Sequence, residues 1–297
     1  MEAYRVYSPL TPTTRDFGRV TVGDGVVLQA VEMSCIPGTR FSEFQPRTPW
    51  LDPDTVKRYK RLLRNVATFF ARSWYGGRTS SPALERCTGK VGRSILFRLE
   101  ALERYLPSRA LRVKARVTRQ GVEQGGLDAT PVVLTHGDFL PSNIMVEPVS
   151  WTVEGYVDWA EAEHLPTGMC LYGLEYLLGY VESGCGERVR SRFVYYEQVD
   201  ELREAFWTAL EEQVPAICHE DARRALELSC DVGILLWKGF AWDDGAIDRV
   251  VSPESDADEV ACLEAWLVEK PNGSRHSSPS DDSPRSLFST TLCGAWA

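Results

Sequence analysis

The 297-residue chain predicts an α+β fold, mostly helical, with a β-hairpin near its start and short strands at its centre. Three observations predict it. Apolar residues recur at three- and four-residue steps from Val56 to Trp74 and again through Ala222–Phe240, the spacing of helices that bury a face. Two β-rich runs flank Gly23-Asp24-Gly25, a strong turn signal. Short apolar runs alternate with polar loops between Pro131 and Val157.

Composition narrows the class. With 43% hydrophobic and 25% charged residues, collagen-like, low-complexity and wholly disordered chains are excluded. The net charge is −9, and Val251–Ala297 alone holds eight acids against three bases. A nearly neutral body with an acidic end argues against nucleic acid as a partner, which calls for a basic surface. No stretch approaches the ~20 apolar residues of a membrane span, and MEAYRVYSPL lacks the basic and apolar regions of a signal peptide. No membrane partner is expected. Eight cysteines (35, 87, 170, 185, 218, 230, 262, 293) stand singly, without C-x-x-C or zinc-ligand spacing. That fits free, mostly buried thiols in a reducing compartment, the cytoplasm.

The elements follow in order. Arg19–Val22 and Val26–Val31 form the hairpin, and Glu32–Gly38 breaks the second strand and opens a polar, Pro-containing linker. Asp52-Pro53 supplies a capping acid and a first-turn proline for a long helix. Its stripe is Val56, Tyr59, Leu63, Val66, Phe70 and Trp74, while Lys57, Arg58, Lys60, Arg61 and Arg64 lie mostly off it as a solvated face. A Gly/Ser-rich loop (Gly76–Ser81) precedes a second amphipathic helix, Ile95–Tyr105. Pro131–Thr135, Ile144–Val146 and Gly155–Val157 read as short strands. After Pro166 the pattern is helical: Met169–Tyr180, Val199–Leu210 and Ala222–Phe240, the last apolar nearly all round and so buried. From Lys270 the Ser/Pro/Asp mixture has the composition of a disordered tail.

The chemistry concentrates in Leu134-Thr-His136-Gly-Asp138-Phe-Leu-Pro-Ser-Asn143-Ile-Met-Val146, followed by Gly155-Tyr-Val-Asp158-Trp-Ala-Glu161. A lone His-Gly-Asp suits any tight turn. The full pattern H-x-D-x4-N between two apolar runs, with Asp-Trp fifteen residues after the Asn, is far harder to reach by chance. Phosphoryl transfer needs such a set: one carboxylate to accept a proton, and an amide oxygen and second carboxylate to hold Mg²⁺ on nucleotide phosphates. Two carboxylates and an amide also suit a metal-dependent hydrolase, though the strand and loop pattern does not.

The segment resembles the catalytic and metal-binding loops of the aminoglycoside phosphotransferase and choline kinase group, which has the protein-kinase-like fold. HGDFLPSN is similar to that group's catalytic loop, and VDWAEAEHLP to the stretch where protein kinases carry D-F-G. Cys170–Gly179 and Gly239–Val250 resemble a fungal branch of the family. The resemblance covers Val26–Glu269, specific in the centre and loose at the ends. It implies Asp138 as general base, Asn143 and Asp158 as Mg²⁺ ligands, and His136 as a brace of the loop. It implies Glu32 and Met33 as an adenine-contacting hinge, with ATP or GTP as nucleotide and a small-molecule hydroxyl as acceptor. For a cationic acceptor, Glu161, Glu163, Asp243, Asp244 and Asp248 are candidate contacts, with Trp242 as an aromatic neighbour of Asp243 and Asp244.

One departure is large. A complete kinase-like N-lobe has a glycine-rich hairpin, a strand lysine on the phosphates and a helix Glu paired to it. Here the hinge arrives at residue 32, and the first lysine is Lys57, beyond it. Gly23-Asp24-Gly25 reads as an ordinary turn, and Arg5, Arg15 or Arg19 differ from lysine in reach and geometry. The resemblance therefore implies 1–38 as a remnant N-lobe of about two strands, 39–269 as a mostly helical C-lobe with short catalytic-loop strands, and 270–297 as a tail. It leaves open an incomplete gene product, a catalytically silent ligand- or partner-binding module, and a lobe completed by a partner chain.

Overall fold

In the computed structural model, which describes residues 2–77, 82–184, 190–243 and 246–269 (backbone only at 242–243 and 246–248), a short helix precedes the hairpin. This helix, α1 (Glu2–Tyr7), ends on Tyr7, which is fully buried and stacks on Phe69 with ring centroids 4.5 Å apart. The hairpin pairs β1 (Thr14–Val22) with β2 (Val26–Met33) around the expected turn. Gly23 and Gly25 take φ values of 50° and 92°, which glycine adopts without steric cost. Glu32 and Met33 do not break the second strand. They continue it, opposite Arg15 and Thr14, because the ladder runs on to the base of the hairpin.

The linker passes close to the body at Gly38, where a Cβ would sit 2.5 Å from the Val146 carbonyl oxygen. It then enters the short strand β3 (Thr39–Arg40). The long helix α2 (Pro53–Gly76) begins as its sequence predicts: Asp52 Oδ1 accepts the N–H groups of Asp54 and Thr55, both at 3.0 Å. Tyr59, Leu63, Val66 and Phe70 are buried along its stripe. Its basic face is more engaged than a solvated face would be. The Arg58 guanidinium lies over the Trp151 ring, Lys60 pairs with Glu201 at 2.5 Å, and Arg61 reaches the Ser150 carbonyl.

Next come α3 (Gly89–Gly92), α4 (Ile95–Tyr105), which matches its predicted span, and α5 (Arg109–Glu123). No element is predicted at α5, whose buried positions Leu111, Ala115, Thr118 and Val122 include only two large apolar side chains. The strands β4 (Val132–Leu134), β5 (Ile144–Val146), β6 (Val153–Tyr156) and β7 (His164–Pro166) follow. β5 sits between β3 and β6, while β4 pairs with β7, all antiparallel.

Beyond Pro166 the structure corrects the helical reading. A 3₁₀ turn at Thr167–Leu171 leads into α6 (Tyr172–Leu177), and the chain then forms a hairpin of β8 (Gly179–Glu182) and β9 (Arg192–Tyr195). Gly179 marks the change: a Cβ there would stand 2.3 Å from the Val194 carbonyl oxygen. The helices α7 (Val199–Gln213) and α8 (Glu220–Lys238) match expectation, with α8 ending at its Gly239 cap. A second hairpin, β10 (Phe240–Asp243) with β11 (Ala246–Val250), and α9 (Ala257–Leu267) complete the described chain.

The result is α+β, predominantly helical, with two- and three-stranded sheets in place of a large one. α8 is the central helix, packed on α4, α5, α6 and α9, with Val232, Ile234 and Leu235 fully buried. Of the described cysteines, Cys87, Cys170 and Cys262 are buried, whereas Cys35 and Cys218 are exposed, and all are free thiols. Among the described residues no helix is long and apolar enough to cross a membrane. Cys185, Cys293, residues 78–81 of the Gly/Ser loop and the tail from Lys270 lie outside the described residues.

Candidate active site

β4 delivers the loop to the surface, and backbone carbonyls at Val157 and Glu163 together with side chains of α6 and α8 hold it. Thr135 donates its N–H and its hydroxyl to the Glu163 carbonyl, at 2.8 and 2.9 Å. The buried His136 accepts the Asp138 N–H at Nδ1 (3.3 Å), so Nε2 carries the proton and donates to the Val157 carbonyl at 2.9 Å. Its ring packs 4.6 Å from that of Trp159. Burial pushes its pKa down to about 4, which keeps the imidazole neutral as a hydrogen-bonding brace.

That depression has a stability consequence. The unfolded chain binds a proton on this histidine near pH 6.5, and the folded loop refuses it until about pH 4. Stability from this group is complete above pH 6.5 and is lost as pH falls toward 4, a cost of about 3 kcal/mol. Urea melts at pH 7 and pH 4.5 check this: His136→Gln flattens the difference, and an equal difference in both proteins counts against it.

Gly137 takes φ +80°, and a Cβ there would stand 2.0 Å from the Glu161 carbonyl oxygen. Asp138 is half-buried. Burial raises its carboxyl above the usual carboxylate range, against the lowering effect of Asn143. The Asn143 amide nitrogen donates to both Asp138 Oδ2 and the Asp138 carbonyl, each at 2.8 Å. This orients the amide, leaving Asn143 Oδ1 without a hydrogen-bond partner among the described residues. The Val157 peptide links this pair to the second acid: its N–H donates to the Asn143 carbonyl at 3.0 Å while its carbonyl receives His136. Asp158 follows directly, at φ +63°, exposed and with no hydrogen-bond or ion-pair partner for its carboxylate among the described residues. A non-glycine residue held in the left-handed region is uncommon and concentrates at functional sites.

Two braces have no counterpart in the sequence reading. The Tyr172 hydroxyl donates to the Gly137 carbonyl (3.1 Å) and accepts the Phe139 N–H (3.0 Å), so it brackets Asp138 from both sides. Trp237 Nε1 donates to the same Gly137 carbonyl, and its ring stacks on that of Tyr172. Nothing in local spacing points to either residue.

The structure thus brings His136, Asp138, Asn143 and Asp158 together. Glu32 and Met33 lie apart, on the exposed β2 strand, with Met33 66% exposed. Arg15 rests over the Phe17 ring and Arg5 near Glu2. Glu163 is corrected from substrate contact to cap: its carboxylate accepts the N–H groups of Lys90, Val91 and Gly92 at 2.6–3.2 Å. Glu161 remains exposed beside the loop, its carboxyl raised by burial and by the Asp138, Asp158 and Glu163 charges. The side chains of Trp242, Asp243, Asp244 and Asp248 lie outside the described residues.

The loop acids line an open face. A cavity of about 700 Å³, lined by Arg47, Tyr180, Glu182 and Arg192 among others, contains none of them. Among the described residues no three His, Cys, Asp or Glu side chains form a complete metal-ligand cluster. Mg²⁺ does not need one, since one or two carboxylates plus phosphates and waters suffice. Asn143 Oδ1 and the Asp158 carboxylate, two hard oxygen donors without partners among the described residues and linked through Val157, fit that requirement.

No protein-family model matches the chain, and no curated protein matches it in sequence. Among solved structures it is similar to a type I macrolide 2′-phosphotransferase, at 14% identity over 90% of this chain and 75% of that one, with a TM-score of 0.47. It is similar to an aminoglycoside phosphotransferase of Streptomyces rimosus, at 14% identity over 78% of each chain, with a TM-score of 0.41. A third likeness is the macrolide 2′-phosphotransferase apoenzyme of Brachybacterium faecium, at 17% identity over 79% of this chain and 70% of that one, with a TM-score of 0.42.

Proposed function

We propose that the chain is a phosphotransferase of kinase-like fold that moves the γ-phosphoryl group of ATP or GTP to a hydroxyl of a small molecule, with 39–269 as its catalytic body. The observation that supports this reading is the Asn143 amide: its nitrogen is committed to Asp138, its oxygen has no partner among the described residues, and the Val157 peptide ties it to Asp158, whose carboxylate is likewise without one there. Asp138, with Asn143 bonded to Oδ2, keeps Oδ1 to accept the proton of the attacking hydroxyl. Asn143 and Asp158 would hold Mg²⁺, which when bound neutralises charge on the phosphate oxygens. His136, through Val157, keeps the two loops in register. Glu161 extends the acidic character of the open face, which suits an acceptor carrying amines, as aminoglycosides do.

A second reading is favoured by one specific observation. The only lysine before residue 60 is Lys57, which sits on α2 and pairs with Asp54 at 3.1 Å, so the described strands β1 and β2 offer no lysine to the phosphates. A nucleotide-binding module without turnover would need only Asn143 and Asp158.

A thermal-shift titration with Mg²⁺ and ATP or GTP tests both. We expect a Mg²⁺-dependent rise in melting temperature in the wild type that Asp158→Ala abolishes. A folded protein that shows no shift sinks both readings. A shift without phosphoryl transfer to any of a panel of aminoglycosides, macrolides and amino alcohols would favour the second.

A further inference from the structure

Lys238 is the last residue of α8, one position beyond the Trp237 side chain that donates to the Gly137 carbonyl. Its ammonium is half-buried and lies over the Tyr176 ring, 5.0 Å from the centroid. A cation there suits both the ring face and the C-terminus of the helix. Neither neutralises it. Burial pushes the Tyr176 hydroxyl and the Cys262 thiol up to about 12, so both are uncharged at neutral pH. The Glu259 charge acts on Lys238, but no carboxylate of the described residues forms an ion pair with it. Its charge also reaches Asp138, where burial raises the carboxyl and Lys238 is among the groups that draw it back down. An ammonium withdrawn from water without a counter-charge is costly, and such groups concentrate at functional sites.

We propose that Lys238 receives an oxyanion of the acceptor, a carboxylate or a phosphate carried near the hydroxyl that gives its proton to Asp138. This deepens the phosphotransferase reading and rests on it. Asn143 and Asp158 adjoin β5 and β6, where the nucleotide and its metal would lie. In-line transfer sets the acceptor across the moving phosphoryl group from the nucleotide. Lys238 belongs to another wall, where its neighbours Tyr176 and Cys262 come from α6 and α9. Asp138 stands between the two: Asn143 holds its carboxylate from one, and Tyr172 and Trp237 hold the flanking backbone from the other. A lysine meets an oxyanion as a compact point charge, so either headgroup fits, and a wholly cationic acceptor would be repelled. An amine on the same acceptor would turn to Glu161, in the loop after β6. The acceptor class narrows to hydroxyl compounds that carry a negative group, with or without an amine.

Two measurements on the full chain separate this from the reading it rests on. The Mg²⁺–ATP thermal shift tests that reading, and Lys238→Met should leave it unchanged. Calorimetric titration without nucleotide tests Lys238. The probes are hydroxy acids, hydroxy amino acids and sugar phosphates, each beside its methyl ester or its unphosphorylated form. At least one acid should bind the wild type about 10–100-fold more tightly than its neutral form, the range of a hydrogen bond to a charged group. A ratio seen with carboxylates alone, or with phosphates alone, identifies the headgroup. Lys238→Met should bring the ratio to one while the neutral form binds as before, and Lys238→Arg should keep most of it. The wild-type ratio and Lys238→Arg decide the matter even where Lys238→Met melts early. No acid preferred by the wild type, a ratio that survives in Lys238→Met, or equal losses for both forms overturns the proposal, the last because it marks a merely structural lysine. A Mg²⁺–ATP shift absent from the wild type overturns the phosphotransferase reading alone, and the ratio still decides the Lys238 site.

Discussion

Asp138→Asn is expected to lower phosphoryl transfer by a factor of about 10²–10⁴, the usual contribution of a positioned general base, while leaving Mg²⁺–nucleotide binding nearly unchanged. The structure makes this a clean substitution. Asn143 Nδ2 donates to Asp138 Oδ2 and to the Asp138 backbone carbonyl, and an asparagine can offer its oxygen to the first and keeps the second. Tyr172 and Trp237 hold the flanking backbone, which the substitution does not touch. The loop should therefore keep its shape and lose only the ability to accept a proton. Steady-state kinetics beside a nucleotide titration separate the two effects. Turnover within tenfold of wild type would remove Asp138 from the role of base, and equal losses in binding and turnover would mean that the loop had moved.

Gly137→Ala is expected to destabilise the fold by about 2–5 kcal/mol, the sum of a left-handed alanine and a contact that cannot relax. At φ +80° an alanine pays in backbone strain, and its Cβ would stand 2.0 Å from the Glu161 carbonyl oxygen. That oxygen belongs to backbone anchored close by, where Thr135 bonds the Glu163 carbonyl and the Glu163 carboxylate caps α3. Gly125 is the control. It has φ +79°, but its Cβ would meet nothing nearer than a side-chain oxygen of Asp128 at 3.2 Å. Gly125→Ala should cost only the strain, about 1–2 kcal/mol. Denaturant melts of the two variants decide the matter: equal costs would mean that the close approach at Gly137 contributes nothing.

Much of the architecture was legible because it rests on local rules. The Asp52 cap, the α2 stripe, the limits of α4 and the Gly23-Asp24-Gly25 turn each depend on residues within a few positions of one another. The misreadings arose where a local pattern was ambiguous or long-range pairing overrode it. Met169–Tyr180 has helical spacing throughout, yet Gly179 is drawn into a ladder with Tyr195. Glu32 and Met33 were expected to end a strand, and cross-strand partners extend it. Tyr7 gives no sign in sequence that it will be buried, because the aromatic rings that cover it, Phe69 and Trp159, lie far along the chain.

The sequence by itself determined which groups form the candidate site. His136, Asp138, Asn143 and Asp158 fall within 23 consecutive residues, and the short apolar runs between them place Asp138, Asn143 and Asp158 at strand ends. Only the tertiary structure decided how those groups are held. Tyr172 and Trp237 lie 35 and 100 positions from the Gly137 carbonyl they share, and Glu163 lies 71 positions or more from the N–H groups it caps. The physical reason is directional: a hydrogen bond needs a donor within about 3 Å and well aligned, and across such separations only helix packing sets that geometry. Periodicity reports which side of an element is apolar, and is silent on which distant donor arrives there.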